Sequence, residues 1–392
     1  MIDFRAEVER MRDDLVAWRR DFHMHPELAY EERRTAGIVA QHLEGLGFEV
    51  ETGVAQTGVV GLLKGEGPGP VVMVRVDMDA LPVTEETGAP YASQVPGLMH
   101  ACGHDGHVAI GMGLAQILAA HREQIGGTVK LIFQPAEEGG NGAEKMIEEG
   151  VLEKLRPDVV LATHIWTDRP VGTINVTPGP VMAAADNFNC TIEGKGGHGA
   201  LPHQTVDPIA TAAQVITALQ TVVSRNVNPL GTAVVSVGTI HGGDAFNVIP
   251  RDVVISGTIR TYLPSTREMV HQRVREVVEG VAQACGARAT LQIIGLTPPV
   301  INDPAVAQIV TRASEFVVGA ECVSSGERTM GSEDAAFFLN EVPGCYFFLG
   351  GSNPDKGLGA AHHNPHFDFD EDVLVLGVAV LASAVSSYLM SG

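Results

Sequence analysis

The apolar positions change period along the chain. In "ERRTAGIVAQHLEGLG" they recur at helical spacing as far as Gly47, and the runs that follow, "VVGLLKG" and "PVVMVRVDMDAL", are near-continuous, as in strands buried on both faces. "VAIGMGLAQILAAH" is apolar on most faces and predicts a well-buried helix. "TVKLIFQP", a helical "GAEKMIEEGVL" and the strand "DVVLATHIW" continue the alternation. This pattern predicts an α/β fold with a mainly parallel central sheet flanked by helices.

From about Ala185 the rhythm differs. "NFNCTIEG" reads as a strand, "VDPIATAAQVITALQTVVSR" as a helix, and "TAVVSVGTIHGG" and "DVVISGTIRTY" as two strands. "STREMVHQRVREVVEGVAQACG" then gives a helix and "ATLQIIGL" a last strand. That βαββαβ order is a ferredoxin-like unit. After "TPPVIND" the chain returns to helix, strand and helix, so the expected organisation is a discontinuous catalytic domain, 1–184 and 297–392, interrupted by an inserted lid domain, 185–296.

Charge narrows the partners. With 26 Lys and Arg against 47 Asp and Glu, the net charge of −21 opposes binding to nucleic acid or to an anionic membrane, and leaves a small-molecule substrate met by a few local cations. No apolar run reaches the roughly 20 residues of a membrane helix, and the charged N-terminus lacks the features of a signal peptide, so a cytoplasmic location is expected. Five scattered cysteines do not form a disulfide framework; Cys190, Cys285, Cys322 and Cys345 are expected as small buried apolar side chains.

The fifth cysteine lies in "LMHACGHDGH", where His100, Cys102, His104, Asp105 and His107 crowd together. Several strand-like runs elsewhere also end in metal-capable side chains: Asp77 and Asp79, Glu137 and Glu138, and His164. "AHHNPHFDF" adds His362, His363 and His366. Ligands of α/β sheets gather at the C-terminal ends of strands, so these segments are expected to converge on a metal. Cys102 and His104 are the strongest candidates in their loop, His100 and His107 weaker ones, while Asp105 and His107 are expected to shape the start of the buried helix. Of His362 and His363 only one need be a ligand, and spacing does not choose between them. His23 and His25 are expected to be structural.

Two neighbouring carboxylates repel each other unless a cation takes up the charge. If a metal binds one of Glu137 and Glu138, the other is available as a general base towards water. Arg260, ending a strand of the insert, either holds a substrate carboxylate or is a surface arginine beside a sheet edge. Gly194, Gly196 and Gly199 match a dinucleotide-binding glycine pattern, but no helix follows at once and no acidic residue stands where a ribose partner is required. A nucleotide-dependent enzyme is therefore rejected.

The motifs "RVDMDALP", "MHACGHDGH", "QPAEEG", "ATHIW", "GKGGHGALPH", "FNVIP", "GSEDAAFFL", "PGCYFFLGG" and "HHNPHFDFDE" together resemble the aminoacylase and hippurate hydrolase amidohydrolases, a branch of the co-catalytic metallopeptidase superfamily. The resemblance implies Cys102, His104, Glu138, His164 and His363 as metal ligands and Glu137 as the general base. It also implies that His198 polarises the scissile carbonyl, in some relatives from across a dimer, and that Asn247 contacts substrate. The branch carries Asp77-x-Asp79 where the wider superfamily has His-x-Asp; Cys102 is expected to compensate, with Asp79 orienting a ligand from behind. A thiolate or the Glu138 carboxylate can bridge two ions, and a neutral imidazole cannot.

The implied activity is metal-dependent hydrolysis of N-acyl-L-amino acids, releasing a carboxylic acid and a free amino acid. Two divalent ions per subunit are implied, and a thiolate among N and O donors suits Zn, Co or Ni, with Mn also possible. A homodimer or higher homo-oligomer is implied as well. The alternative is a dipeptidase or carboxypeptidase of the same fold. A non-catalytic scaffold is disfavoured because it has no use for Glu137 beside Glu138.

Overall fold

The computed structural model describes residues 2–390. The chain divides into two compact units, one comprising residues up to Val181 with Ile301–Arg328 and the segment from Asp334, the other Met182–Val300 with Thr329–Glu333.

The larger unit is built on an eight-stranded sheet. Its spatial order is Glu49–Val54, Gly58–Lys64, Gly126–Gln134, Gly67–Asp77, Val159–Pro170, Gly344–Ser352, Ile174–Asn175 and Val323–Ser324. The four central strands run parallel, and their apolar runs, such as Val72, Met73, Val74 and Val76, are buried because helices cover both faces. The helix His104–Ala120 is buried on almost every side. It lies close to its neighbours because it carries glycine at the contacts: a Cβ on Gly111 would stand 2.8 Å from Phe133 and Val76, and one on Gly106 would stand 2.6 Å from Phe369.

Two expectations need correction here. Among the described residues the helix Asp372–Leu389 is long and apolar enough to cross a membrane by length and composition, although Ser383, Ser386 and Ser387 interrupt its apolar run. It is a core helix, 78% buried, packed against His104–Ala120 and Pro304–Val318. Cys285 is exposed and Cys322 half-buried, so only Cys190 and Cys345 behave as the buried apolar side chains expected of all four.

The smaller unit has a four-stranded antiparallel sheet in the order Ala233–His241, Asp252–Thr261, Ala184–Glu193, Arg288–Thr297. This is the ferredoxin-like arrangement, with Pro208–Asn226 and Pro264–Ala284 packing their apolar sides onto one core of Phe188, Ile192, Val215, Leu219, Val270 and Val274. The first of these helices starts sharply: Asp207 accepts the amides of Ile209 and Ala210, and Pro208 occupies the first turn.

Candidate metal centre and active site

The parallel register brings the polar strand ends together. Asp77 pairs with Gln134, and Arg75 pairs with Ala162, so His164, two residues further on, stands level with Asp77. The buried helix starts at the same level. Gly103, at φ 89°, turns the chain through a left-handed conformation into it, and His104, Asp105 and His107 form its first turn.

His104 and His164 are each oriented by a hydrogen bond at the nitrogen that faces away from the cluster, and His363 by its backbone. His104 donates Nδ1–H to the Asp79 carbonyl at 2.8 Å, and its buried Nε2 has no hydrogen-bond partner among the described residues. His164 donates Nδ1–H to the Ile165 carbonyl at 2.6 Å, which leaves the Nε2 lone pair 3.4 Å from Sγ of Cys102. His363 has φ 64° and its amide bonds the Ala101 carbonyl; its Nε2 lies 3.1 Å from Oε1 of Glu138. Fixing one ring nitrogen in this way sets which lone pair is offered to a cation.

These atoms form overlapping clusters. The donors of Cys102, His104 and His164 lie within 4.8 Å of one another, as do those of Cys102, Glu138 and His363, and those of His104, Glu137 and Glu138. Asp77, His104 and His107 form a further cluster. His107, however, uses both nitrogens, donating Nδ1–H to Asp77 at 2.6 Å and accepting the Ile165 amide at Nε2. Arg75 holds the other oxygen of Asp77 at 2.6 Å.

The Asp79 carboxylate accepts the backbone amides of Glu137 and Glu138 at 3.0 and 2.9 Å. It therefore fixes the turn that presents the two glutamates, while its carbonyl orients His104. His362 donates Nε2–H to the Ile165 carbonyl at 2.9 Å, and burial pushes its pKa down to about 4. His366 is exposed and bonds the Glu86 carbonyl. His23 bonds Asp105 at 2.7 Å, and Asp105 pairs with the buried Arg19; His25 bonds the Asp21 carbonyl. His100 is buried with no hydrogen-bond partner at either nitrogen among the described residues, and burial pushes its pKa down to about 3.

The electrostatics of the cluster suit a divalent cation. Burial, then Glu138 and Glu137, hold the Cys102 thiol well above its usual range. Burial works against charge on His104, yet Asp77, Asp79 and Glu138 outweigh it and push its pKa up to about 10. Burial also opposes the charge on Glu138, but His363 and His104 hold its carboxyl below the usual range. The converging carboxylates thus keep protons on the Cys102 thiol and the His104 ring that a cation would displace. The S, N and O donors fit a transition metal ion of the Zn, Co, Ni or Mn type.

His198, Asn247 and Arg260 all lie on the smaller unit. His198 pairs with Val248 across a two-stranded ribbon, and the Gly199 amide bonds the Asn247 carbonyl at 2.8 Å, so His198 and Asn247 are neighbours. Ala200 donates its amide to Nδ1 of His198 at 3.0 Å, which leaves the ring proton on Nε2. Arg260 donates to Oγ of Ser332 at 2.9 Å.

Two supporting residues were given no role from the sequence. Glu32 and Asp334 are buried carboxylates that accept backbone amides around the Glu137 turn. Glu32 opens the run "ERRTAGIVAQHLEGLG" and Asp334 stands in the motif "GSEDAAFFL", but nothing local distinguishes them from surface acids.

Residues 73–387 match peptidase family M20/M25/M40. The chain is 41% identical over 370 residues to an N-acetyl-L-cysteine deacetylase of Bacillus subtilis (strain 168), covering 94% of this chain and 87% of the relative. It is 40% identical over 375 residues to thermostable carboxypeptidase 1 of Saccharolobus solfataricus, covering 95% and 94%. Among solved structures, that of the Bacillus subtilis YXEP protein, described as a dinuclear metal binding peptidase from the M20 family, superimposes with a TM-score of 0.85 at 36% identity, covering 97% of this chain and 99% of that one. The chain belongs to peptidase family M20/M25/M40 and is an amide-bond hydrolase.

Proposed function

We propose that the protein hydrolyses the amide bond of N-acyl-L-amino acids, releasing a carboxylic acid and a free amino acid. The observation that carries this reading is the pair Glu137 and Glu138, both amides fixed by Asp79. Glu138 lies with Cys102 and His363, and both carboxylates lie with His104. The named deacetylase relative supports an acyl group on nitrogen as the substrate feature.

Cys102, His104, Glu138, His164 and His363 would hold two divalent ions. When bound, such ions supply Lewis acidity at the amide carbonyl and lower the pKa of water towards neutrality. Glu137 takes a proton from the attacking water as the water oxygen bonds the amide carbon. The C–N bond then breaks, and Glu137 returns that proton to the leaving amine. His198, with its proton on Nε2, is assigned as a donor to the developing oxyanion. Asn247 and Arg260 are assigned as substrate contacts, the guanidinium suiting the α-carboxylate. The smaller unit is assigned as a lid and dimerisation domain, and the location as cytoplasmic.

The carboxypeptidase relative favours a second reading, cleavage of peptides. Free-amine release from N-acetyl and N-benzoyl amino acids, set beside unblocked dipeptides, separates the two. Protein stripped by a chelator and reloaded with Zn²⁺, Mn²⁺, Co²⁺ or Ni²⁺ should turn over the acylated series. Turnover confined to unblocked dipeptides would overturn the reading.

A further inference from the structure

Ala136 immediately precedes Glu137 and takes φ +57°, a left-handed backbone that an alanine Cβ disfavours. It is buried, and it is held there by a specific bond: its amide donates to Oε1 of Glu32 at 2.9 Å. Glu32 is fully buried, and its other oxygen accepts the Thr57 hydroxyl at 2.5 Å. Thr57 sits in the turn joining two strands, just after Ala55 and Gln56, which also take positive φ.

Three consecutive amides, those of Ala136, Glu137 and Glu138, are thus accepted by two buried carboxylates from distant parts of the chain. Burying a carboxylate is costly, and these bonds offset part of that cost. Here the carboxylate satisfies the strained residue whose next two side chains are the base and a metal ligand.

The geometry points to Glu32 as a positioning residue: by holding Ala136 left-handed it sets where the carboxylates of Glu137 and Glu138 stand. Without that bond Ala136 relaxes towards an ordinary backbone conformation, and the two following side chains swing with it. The kinetic arm of the test rests on the hydrolase reading above. The metal-affinity arm does not.

The test compares Glu32→Gln, Glu32→Leu and Glu32→Leu with Ala136→Gly in the full chain. Glycine adopts the left-handed turn without help, so it should replace what the carboxylate does. Two quantities are read: kcat and KM on an N-acyl amino acid, and Zn²⁺ affinity by competition with a chromogenic chelator. Glu32→Gln keeps an acceptor for Ala136 and should stay within about threefold of the parent in both. Glu32→Leu should lower kcat and Zn²⁺ affinity by roughly 10- to 100-fold with KM within about threefold, and Ala136→Gly should restore most of each loss.

Parent-like values in Glu32→Leu, or losses that Ala136→Gly leaves untouched, overturn the assignment. If Glu32→Leu aggregates, Thr57→Val unties the far oxygen of Glu32 while keeping the core filled. It should then show a several-fold loss in kcat and Zn²⁺ affinity, reversed by Ala136→Gly, and parent-like behaviour there overturns the assignment equally. If the parent hydrolyses no N-acyl amino acid, the functional reading falls, and the Zn²⁺ affinities still decide the role of Glu32.

Discussion

Sγ of Cys102 lies 3.4 Å from Nε2 of His164, whose other nitrogen is committed to the Ile165 carbonyl. The sulfur must become a thiolate to bind a metal, yet burial, Glu138 and Glu137 keep it protonated in the metal-free protein. His104, at a pKa of about 10, also carries a proton there. Both pKa values are raised, so both protons stabilise the metal-free fold at neutral pH and are lost only as pH rises through the raised values. Metal binding must expel them, and affinity therefore falls as pH falls. The logarithm of Zn²⁺ affinity should climb by up to about two units per pH unit between about pH 6 and 9. Cys102→Ser should weaken binding at least about 100-fold and remove about one unit of that slope. A pH-independent affinity in the parent would contradict the ligand set.

Glu137 and Glu138 are adjacent, but their substitutions should separate. Glu137→Gln keeps the backbone bond to Asp79 and leaves Glu138 in place. It should bind two ions with parent-like affinity and lose about 10² to 10⁴ in kcat. Metal content by elemental analysis, read beside turnover, checks both halves. Near-normal turnover would remove Glu137 from the proton transfers.

His362 and His363 are also adjacent and point to opposite fates. The His362 ring packs 4.6 Å from Trp166 and 5.0 Å from Phe367, donates to the Ile165 carbonyl, and stays neutral above about pH 4. His362→Phe should leave Zn²⁺ affinity within about threefold and cost about 1–2 kcal/mol of stability. His363→Phe should weaken the metal at least about tenfold with little effect on stability, since His363 is half-exposed. Chelator competition and urea unfolding on the two variants would give the reverse pattern if the assignment were inverted.

That pair also shows where sequence reasoning ends. Asp77, Glu137, Glu138 and His164 were legible because each closes a near-continuous apolar run, and a polar side chain at such a point lies at a strand end. Spacing alone did not choose between His362 and His363, because the choice depends on the positive φ of His363, which directs consecutive side chains to different partners. Glu32 and Ala136 are 104 residues apart, and Arg19 and Asp105 are 86 apart. Buried bonds at that separation leave no periodic trace. Thr329–Glu333 belongs with the smaller unit although it lies far along the chain from the rest of it, for the same reason. The misread cysteines show the converse: a small apolar residue carries no signal of the face on which it falls.

The smaller unit offers a test of stability independent of any metal. Asp186 has no exposed side-chain surface; Arg267 meets it at 2.6 Å and Nε2 of His271 lies 2.9 Å away. Burial works against the charge, but His271 and Arg267 outweigh it and hold the carboxyl below its usual range. A depressed pKa contributes stability that is present above the unfolded value of about 3.9 and lost as pH falls through the folded one. Asp186→Asn leaves Arg267 without its buried partner and should cost about 3 kcal/mol at neutral pH. The cost should shrink once the parent's own Asp186 takes up a proton, because the two proteins then carry the same charge at this position. Urea unfolding of parent and variant at about pH 7 and pH 3 measures both costs. An equal difference at the two pH values would show that the ion pair does not contribute to the stability of this unit.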